Sequence, residues 1–264
     1  VGVESMTMVP QGGFNFSPNP ELKDGTDAYI SMGETAENVA QRWNVSRADQ
    51  EAFAVESHRK ATAARAQGRL AGEIVPVRLA SGDVVDADGC IRPATSAEAL
   101  AGLKPAFRPD GVVTAGTSSP LTDGAAAVLV TSDVFAAKHG LQALARIKSF
   151  ATVGVDPAVM GIGPIPATRK ALARAGLKAA DLDVIELNEA FSSQALACIR
   201  DLGLDAAKIN LDGGGLAIGH PLGATGARIT GKAASLLARE KGRYALATQC
   251  IGGGQGIATI LERV

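Results

Sequence analysis

The spacing of apolar positions divides the chain into an irregular first part and a regular second one. From residue 145 onward, short β-branched and aliphatic runs alternate with longer amphipathic stretches. The runs predict strands over 145–150, 184–187, 244–249 and 257–261, and the stretches predict helices over 166–175, 190–202 and from the glycine-dense loop 211–226 to residue 240. In that last helix Ile229, Ala233 and Leu236 share one face. Alternation of this kind indicates an α/β fold.

The first part is less periodic. Residues 1–35, rich in Gly, Pro, Asn and Met, read as an extended, loop-like entry. Ser46-Arg47-Ala48-Asp49 has capping-box spacing, with Asp in place of Glu, and opens an Ala-rich helix that runs to about Gly68. Trp43 and Phe53 are expected to pack near its start. Glu73-Ile74-Val75-Pro76-Val77 predicts an edge strand, because proline cannot donate to a ladder. Residues 81–120 are irregular, 123–130 predict a buried strand, and a short helix runs to His139. The runs at 123–130 and 255–261 both place an apolar strand after a small-residue turn, a faint echo compatible with two similar halves.

Composition narrows the function classes. With 264 residues and 46% hydrophobic content the chain can bury a sizeable core. Lys and Arg number 26 against 27 Asp and Glu, so no overall field favours nucleic acid or an anionic membrane. The longest aliphatic run, 125–130, is far short of the roughly 20 residues that span a bilayer. Cys90, Cys198 and Cys250 are too scattered for a disulfide framework or zinc ribbon, which favours a reducing, cytoplasmic compartment. The first residue is Val1, so the start is read as internal to a longer protein.

Three junctions carry candidate chemistry. The loop 211–226 holds six glycines and His220, which is followed by Pro221; its backbone is expected to approach a ligand closely. His220 is either a rigidly placed catalytic group or a structural histidine. Asn188 follows the strand 184–187 and is either the N-cap of the next helix or a ligand contact at a strand end. Cys250 precedes a turn with four glycines among residues 252–256. It is either inert or a thiol whose pKa is lowered by nearby amides. A phosphate loop at 226–233 fails because Ala233 stands where Ser or Thr must hold magnesium. No paired spacing supports a metal site from His220, Cys250 and Cys198.

At these residues the chain resembles the thiolases, 3-ketoacyl-CoA thiolase and acetyl-CoA acetyltransferase above all. Asn188-Glu189-Ala190-Phe191, Gly219-His220-Pro221-Leu222-Gly223 and Cys250-Ile251-Gly252-Gly253-Gly254-Gln255-Gly256 carry the resemblance. Gly2-Val3-Glu4-Ser5-Met6, Met32-Gly33-Glu34-Thr35-Ala36-Glu37-Asn38, Thr114-Ala115-Gly116-Thr117-Ser118-Ser119 and Val153-Gly154-Val155-Asp156-Pro157 extend it over the whole chain.

The resemblance implies a layered α/β fold of duplicated half-domains, the first largely missing. Residues 1–120 would be a CoA-covering loop domain, 121–140 the remainder of the N-terminal half-domain and 141–264 the C-terminal one. It implies an enzyme of fatty acid metabolism and β-oxidation that cleaves 3-ketoacyl-CoA to acetyl-CoA and a shortened acyl-CoA through a cysteine thioester. The alternatives are the biosynthetic condensation to acetoacetyl-CoA and a non-catalytic CoA-binding fragment. His220 would activate the nucleophilic thiol and, with Asn188 through a bound water, form an oxyanion hole. Cys250 would be the general acid/base and the Gly252 N–H part of a second oxyanion hole. Ser119, Phe107, Met32 and Phe191 would line the pantetheine tunnel. The nucleophilic cysteine matches no residue here, so the chain reads as lacking the N-terminal segment that carries it. Implied partners are acyl-CoA, coenzyme A as co-substrate, that missing segment, and further copies in a homodimer or homotetramer. No tightly bound cofactor, metal, nucleic acid or membrane insertion is expected. Ser31 stands before Met32 where acetoacetyl-specific members place a histidine, which favours a broader range of 3-ketoacyl chains.

Overall fold

The computed structural model describes residues 1–264. In chain order the strands are β1 (Gly2–Ser5), β2 (Val77–Arg78), β3 (Val84–Val85), β4 (Asp123–Ala126), β5 (Ala145–Gly154), β6 (Val184–Leu187), β7 (Tyr244–Ile251) and β8 (Gln255–Arg263). The α-helices are α1 (Pro20–Gly25), α2 (Met32–Arg42), α3 (Arg47–Ala66), α4 (Ala97–Ala101), α5 (Asp133–Lys138), α6 (Pro164–Ala175), α7 (Ser192–Leu202), α8 (Gly215–Ile218) and α9 (Leu222–Arg239).

The second part builds a four-stranded sheet in the order β5-β8-β7-β6. A hairpin joins β7 to β8, and only β6 and β7 run parallel. Helices α6 and α7 bury Ile165, Leu172, Ala195 and Cys198 against Leu187, Leu246 and Ile260 on one face of this sheet. On the other face Ile229, Ala233 and Leu236 of α9 pack against Val184, Ala245, Ala247 and Leu261. Each large aliphatic side chain so buried contributes about 1.5–3 kcal/mol. Beyond α9 lies the antiparallel pair β1–β4, brought close because Gly2 and Gly223 meet without side chains. The layers are therefore helices, sheet, helix and sheet.

Helix α3 starts as its sequence dictates: Ser46 Oγ accepts from the Asp49 amide at 3.1 Å. The Asp49 carboxylate does not close a box; it pairs with Arg200 at 2.7 Å. Trp43 packs beside Val39 and Val45, and Phe53 beside Ala54 and Leu100. The turn after α3 is followed by the short β2–β3 pair.

Several expectations need correction. The entry 1–35 is not uniformly extended, for it contains β1, α1 and the start of α2. The edge strand begins only at Val77, after Pro76, where amides can join a ladder. The buried strand expected over 123–130 is shorter and less buried: only β4 forms, its ladder ends where Ala126 faces Gly2, and its residues are exposed or half-buried. Val128, Leu129 and Val130 beyond it are exposed. No helix is long and apolar enough to cross a membrane.

Candidate active site

Strand β6 ends at Leu187, and Asn188 follows with its amide donating to the Thr248 carbonyl of β7 at 3.0 Å. Asn188 is therefore an extension of the sheet and not a helix cap; the residue at the cap of α7 is Phe191. The Asn188 side chain is fully buried and its Nδ2 lies 3.2 Å from His220 Nε2. Its Oδ1 has no partner among the protein atoms.

His220 sits between α8 and α9, and its amide donates to Thr122 Oγ1 at 3.3 Å. Gly219, at φ 108°, makes the turn that delivers it, and a Cβ there would strike Thr122. On the other side of the ring, Nδ1 lies 2.6 Å from Thr225 Oγ1. That hydroxyl donates to the Pro221 carbonyl at 2.9 Å, so it turns a lone pair to the ring. The ring hydrogen then belongs on Nδ1, and the basic nitrogen is Nε2, which accepts from Asn188 Nδ2. Burial, with the Arg228 guanidinium adding to it, pushes the imidazole down to about 4, so the ring is neutral around pH 7.

Cys250, near the end of β7, packs with Met160 and Ala190, and with the partly buried Met32 and Phe191. The expectation of an acidified thiol fails, since burial pushes the Cys250 pKa up to about 12. Such a thiol keeps its proton at neutral pH, which suits an acid. Cys198 is held in the helix–sheet core, where burial raises its thiol pKa further, and Cys90 lies in the first part of the chain.

The glycines also read differently in three dimensions. Gly252 is open, but Gly254 and Gly256 are required by the chain itself, at Val155–Pro157 and at Gly163. Gly213 approaches Ala61 and Ser57 of α3, Gly214 the Glu189 carboxylate and Gly215 Asn188. The close approaches at Gly213, Gly214, Gly215, Gly254 and Gly256 are thus made to protein. Lys232, of the rejected phosphate loop, is buried in ion pairs with Asp212 at 2.6 Å and Glu73 at 2.7 Å.

The four residues expected along the tunnel are gathered at the same end of the sheet. The Ser119 amide donates to the Ala190 carbonyl at 3.0 Å. The rings of Phe107 and Phe191 meet edge to face, 5.9 Å apart. The Phe107 ring occupies the space a Cβ on Gly33 would take, next to Met32. Sequence reasoning missed Thr225, Thr122, Ser57 and Glu189; only Thr225 carried a signal, a hydroxyl five residues after His220 on the first turn of a helix.

Comparison with known proteins agrees with this geometry. Residues 1–134 match the family model described as thiolase, N-terminal domain, and residues 141–263 match thiolase, C-terminal domain. An acetyl-CoA acetyltransferase of Shinella zoogloeoides is 51% identical over 276 residues, covering 99% of this chain and 70% of that protein. A 3-ketoacyl-CoA thiolase of Erwinia tasmaniensis is 50% identical, covering 100% of this chain and 70% of its own length. The crystal structure of human mitochondrial 3-ketoacyl-CoA thiolase in complex with CoA superimposes with a TM-score of 0.90 at 40% identity, over 100% of this chain and 70% of that one. With both family models and a full-length match at half identity in agreement with the layered fold, the chain belongs to the thiolase family.

Proposed function

We propose that the enzyme is an acetyl-CoA C-acyltransferase that cleaves 3-ketoacyl-CoA to acetyl-CoA and a shortened acyl-CoA, and that this chain supplies its proton-handling groups. The observation that carries the reading is the contact of His220 Nε2 with Asn188, with the opposite ring nitrogen held by Thr225. A neutral His220 takes the proton of the nucleophilic thiol, and the thiolate adds to the keto carbon. The bond between that carbon and the acetyl unit then breaks. Cys250, still protonated, gives its proton to the departing acetyl-CoA carbanion. Coenzyme A gives its thiol proton to the Cys250 thiolate and attacks the acyl-enzyme thioester; the shortened acyl-CoA leaves, and the freed nucleophilic thiolate takes back its proton from His220. Asn188, through a bound water, and His220, once it carries the thiol proton on Nε2, donate to the thioester oxygen, and the Gly252 N–H donates to a second developing oxyanion; removing one such donor costs about 3–4 kcal/mol in other enzymes.

The acylated thiol comes from a polypeptide segment other than these 264 residues. Support lies in the three cysteines: Cys198 is sealed in the core, Cys250 is placed for proton transfer and Cys90 lies outside the cluster of Asn188, His220 and Cys250. Residues 1–120 cover pantetheine and adenine, with Ser119, Phe107, Met32 and Phe191 along the tunnel. Residues 121–140 belong to the N-terminal half-domain and 141–264 form the C-terminal one. Ser31 caps α2 through the Glu34 amide, and its short side chain, standing before Met32 where acetoacetyl-specific members place a histidine, favours breadth in 3-ketoacyl chain length. Three free cysteines suit a cytoplasmic, reducing setting. The exposed Leu129, Val130 and Phe150 favour a homodimer or homotetramer.

Intact-mass spectrometry of the chain together with the segment that carries the nucleophilic cysteine, after incubation with acetyl-CoA and alongside a thiolysis assay with acetoacetyl-CoA, tests the reading. An acyl adduct of the protein with turnover supports it. Binding of CoA with neither adduct nor turnover supports the second reading, a non-catalytic CoA-binding module, which the raised thiol pKa values of buried Cys198 and Cys250 favour.

A further inference from the structure

The buried carboxylate next to Asn188 has no part in the chemistry above. Glu189 is 2% exposed, and its neighbours come from three separate parts of the chain. Ser57 Oγ of α3 donates to Oε2 at 2.6 Å, Asn210 Nδ2 donates to Oε1 at 2.6 Å, and the Leu216 amide of α8 donates to Oε2 at 3.2 Å. Three donors converge on two oxygens, and no cation lies in ion-pair contact. That is the environment of an acceptor.

Each tie reaches the catalytic loop by a different route. Ser57 also accepts from the Gly214 amide at 3.2 Å, so the carboxylate holds both Gly214 and Leu216. Asn210, itself at φ 45°, returns Oδ1 to the Leu187 amide at 3.0 Å and Nδ2 to the Leu187 carbonyl at 2.8 Å, which fixes the strand end that presents Asn188. A Cβ on Gly214 would lie 2.2 Å from the Glu189 carboxyl carbon, and one on Gly213 would lie 2.6 Å from the Ala61 Cβ. The loop is therefore seated directly on the carboxylate and on α3. Only α8 and Gly219 separate this seat from His220.

We propose that Glu189 is a positioning residue for acyl transfer: its carboxylate locks the 213–216 turn to α3 and to the end of β6, and thereby sets His220 Nε2 against Asn188. The proposal rests on the thiolase reading for the roles of His220 and Asn188. It adds that α3, within the segment assigned to covering CoA, is a structural support of the base.

The test compares the chain with Glu189→Gln, which keeps the shape and places an amide group among donors, and with Ser57→Ala, which keeps the carboxylate and removes the tie to Gly214. With only three histidines, His58, His139 and His220, the ring nitrogens are resolved by 15N-histidine labelling and NMR, and His220→Asn assigns the signal. The expected result is a shift of the His220 ring nitrogens away from the Nδ1–H form in both variants, with His139 unmoved, and a smaller shift for Ser57→Ala. In the thiolysis assay kcat falls by about 100-fold at unchanged KM, the scale of an ångström of misplacement. A lower melting temperature with unmoved His220 signals would make Glu189 a stability residue only and overturn the proposal. If Glu189→Gln does not fold, Ser57→Ala decides by the same signals. An unmutated chain that gives no turnover with the thiol-bearing segment present counts against the catalytic reading, whereas the NMR comparison still decides the positioning role.

Discussion

His220 Nδ1 and Thr225 Oγ1 stand 2.6 Å apart, and the hydroxyl is committed to the Pro221 carbonyl, so the histidine tautomer is fixed from within the first turn of α9. Thr225→Val keeps the shape and removes the acceptor. The ring then moves its hydrogen to Nε2, and the Asn188 amide rotates to meet it with Oδ1, which has no other protein partner. Nitrogen chemical shifts of His220 should report the change, and a loss of activity on the order of 10²- to 10⁴-fold should accompany it, the scale of general base catalysis.

Glu186 gives a pH-dependent prediction of opposite sign to that of His220. Burial raises the Glu186 carboxyl from 4.5 to about 7, partly offset by Arg228 and Lys232. The folded chain therefore takes this proton first, and stability withheld above pH 7 is recovered as pH falls toward 4.5. His220 is lowered from 6.5 to about 4, so the unfolded chain takes that proton first and stability is lost as pH falls through this window. The two slopes oppose each other where they overlap. Glu186→Gln should stabilise by up to about 3 kcal/mol at pH 8 and by little at pH 4, with a steeper loss on acidification than the parent. Urea unfolding at several pH values checks both signs. Glu189, also raised by burial, repels the Glu186 charge, and Glu186→Gln removes that repulsion as well.

Gly33→Ala places a methyl group 2.0 Å from the Phe107 ring. The ring must leave its edge contact with Phe191, while His220, Cys250 and Asn188 are untouched. CoA affinity by calorimetry should fall about 3- to 10-fold, matching loss of an aromatic pair worth about 0.5–1.5 kcal/mol. The His220 nitrogen signals should stay in place.

Asp212 is fully buried and meets Lys232 and Arg239 at 2.6 Å and Arg69 at 3.1 Å. Its own burial opposes ionisation, but the hydrogen bonds from Arg239 and Lys232 prevail and hold the carboxyl below its ordinary range. Asp212→Asn leaves buried Lys232 with Glu73 alone and should cost about 3–5 kcal/mol in urea unfolding.

The second part of the fold was legible because its signals are local. Residues 184–187 form β6 as predicted, and α6 and α9 follow their apolar faces and stop within two residues of the predicted ends. Strand β5 runs four residues past its predicted end because β8 pairs with it as far as Gly154, a long-range fact. Residues 128–130 misled because an aliphatic run reports preference for burial and not whether a strand lies alongside. His220, Asn188 and Cys250 could be singled out since each stands at a junction. Ser57 could not, because a serine within an Ala-rich helix looks solvated until Glu189, 132 residues away, is brought to it. The sequence leaves Cys250 open between an inert and an acidified thiol for the same reason: nearby amides are visible in it, but the apolar walls of Met160 and Ala190 are not.

The seat of Gly213 and Gly214 on α3 limits what exchange between relatives can achieve. Residues 1–120 look like an interchangeable cover, and a chimera that imports them whole would be the natural way to transplant chain-length preference. Yet Ser57, Ala61 and Arg69 in that segment face Gly214, Gly213 and Asp212 across the join. A donor that differs at any of the three would bring a new cover and unsettle the base beneath it. Successful transplants will be those that cut outside α3 or carry its inner face along.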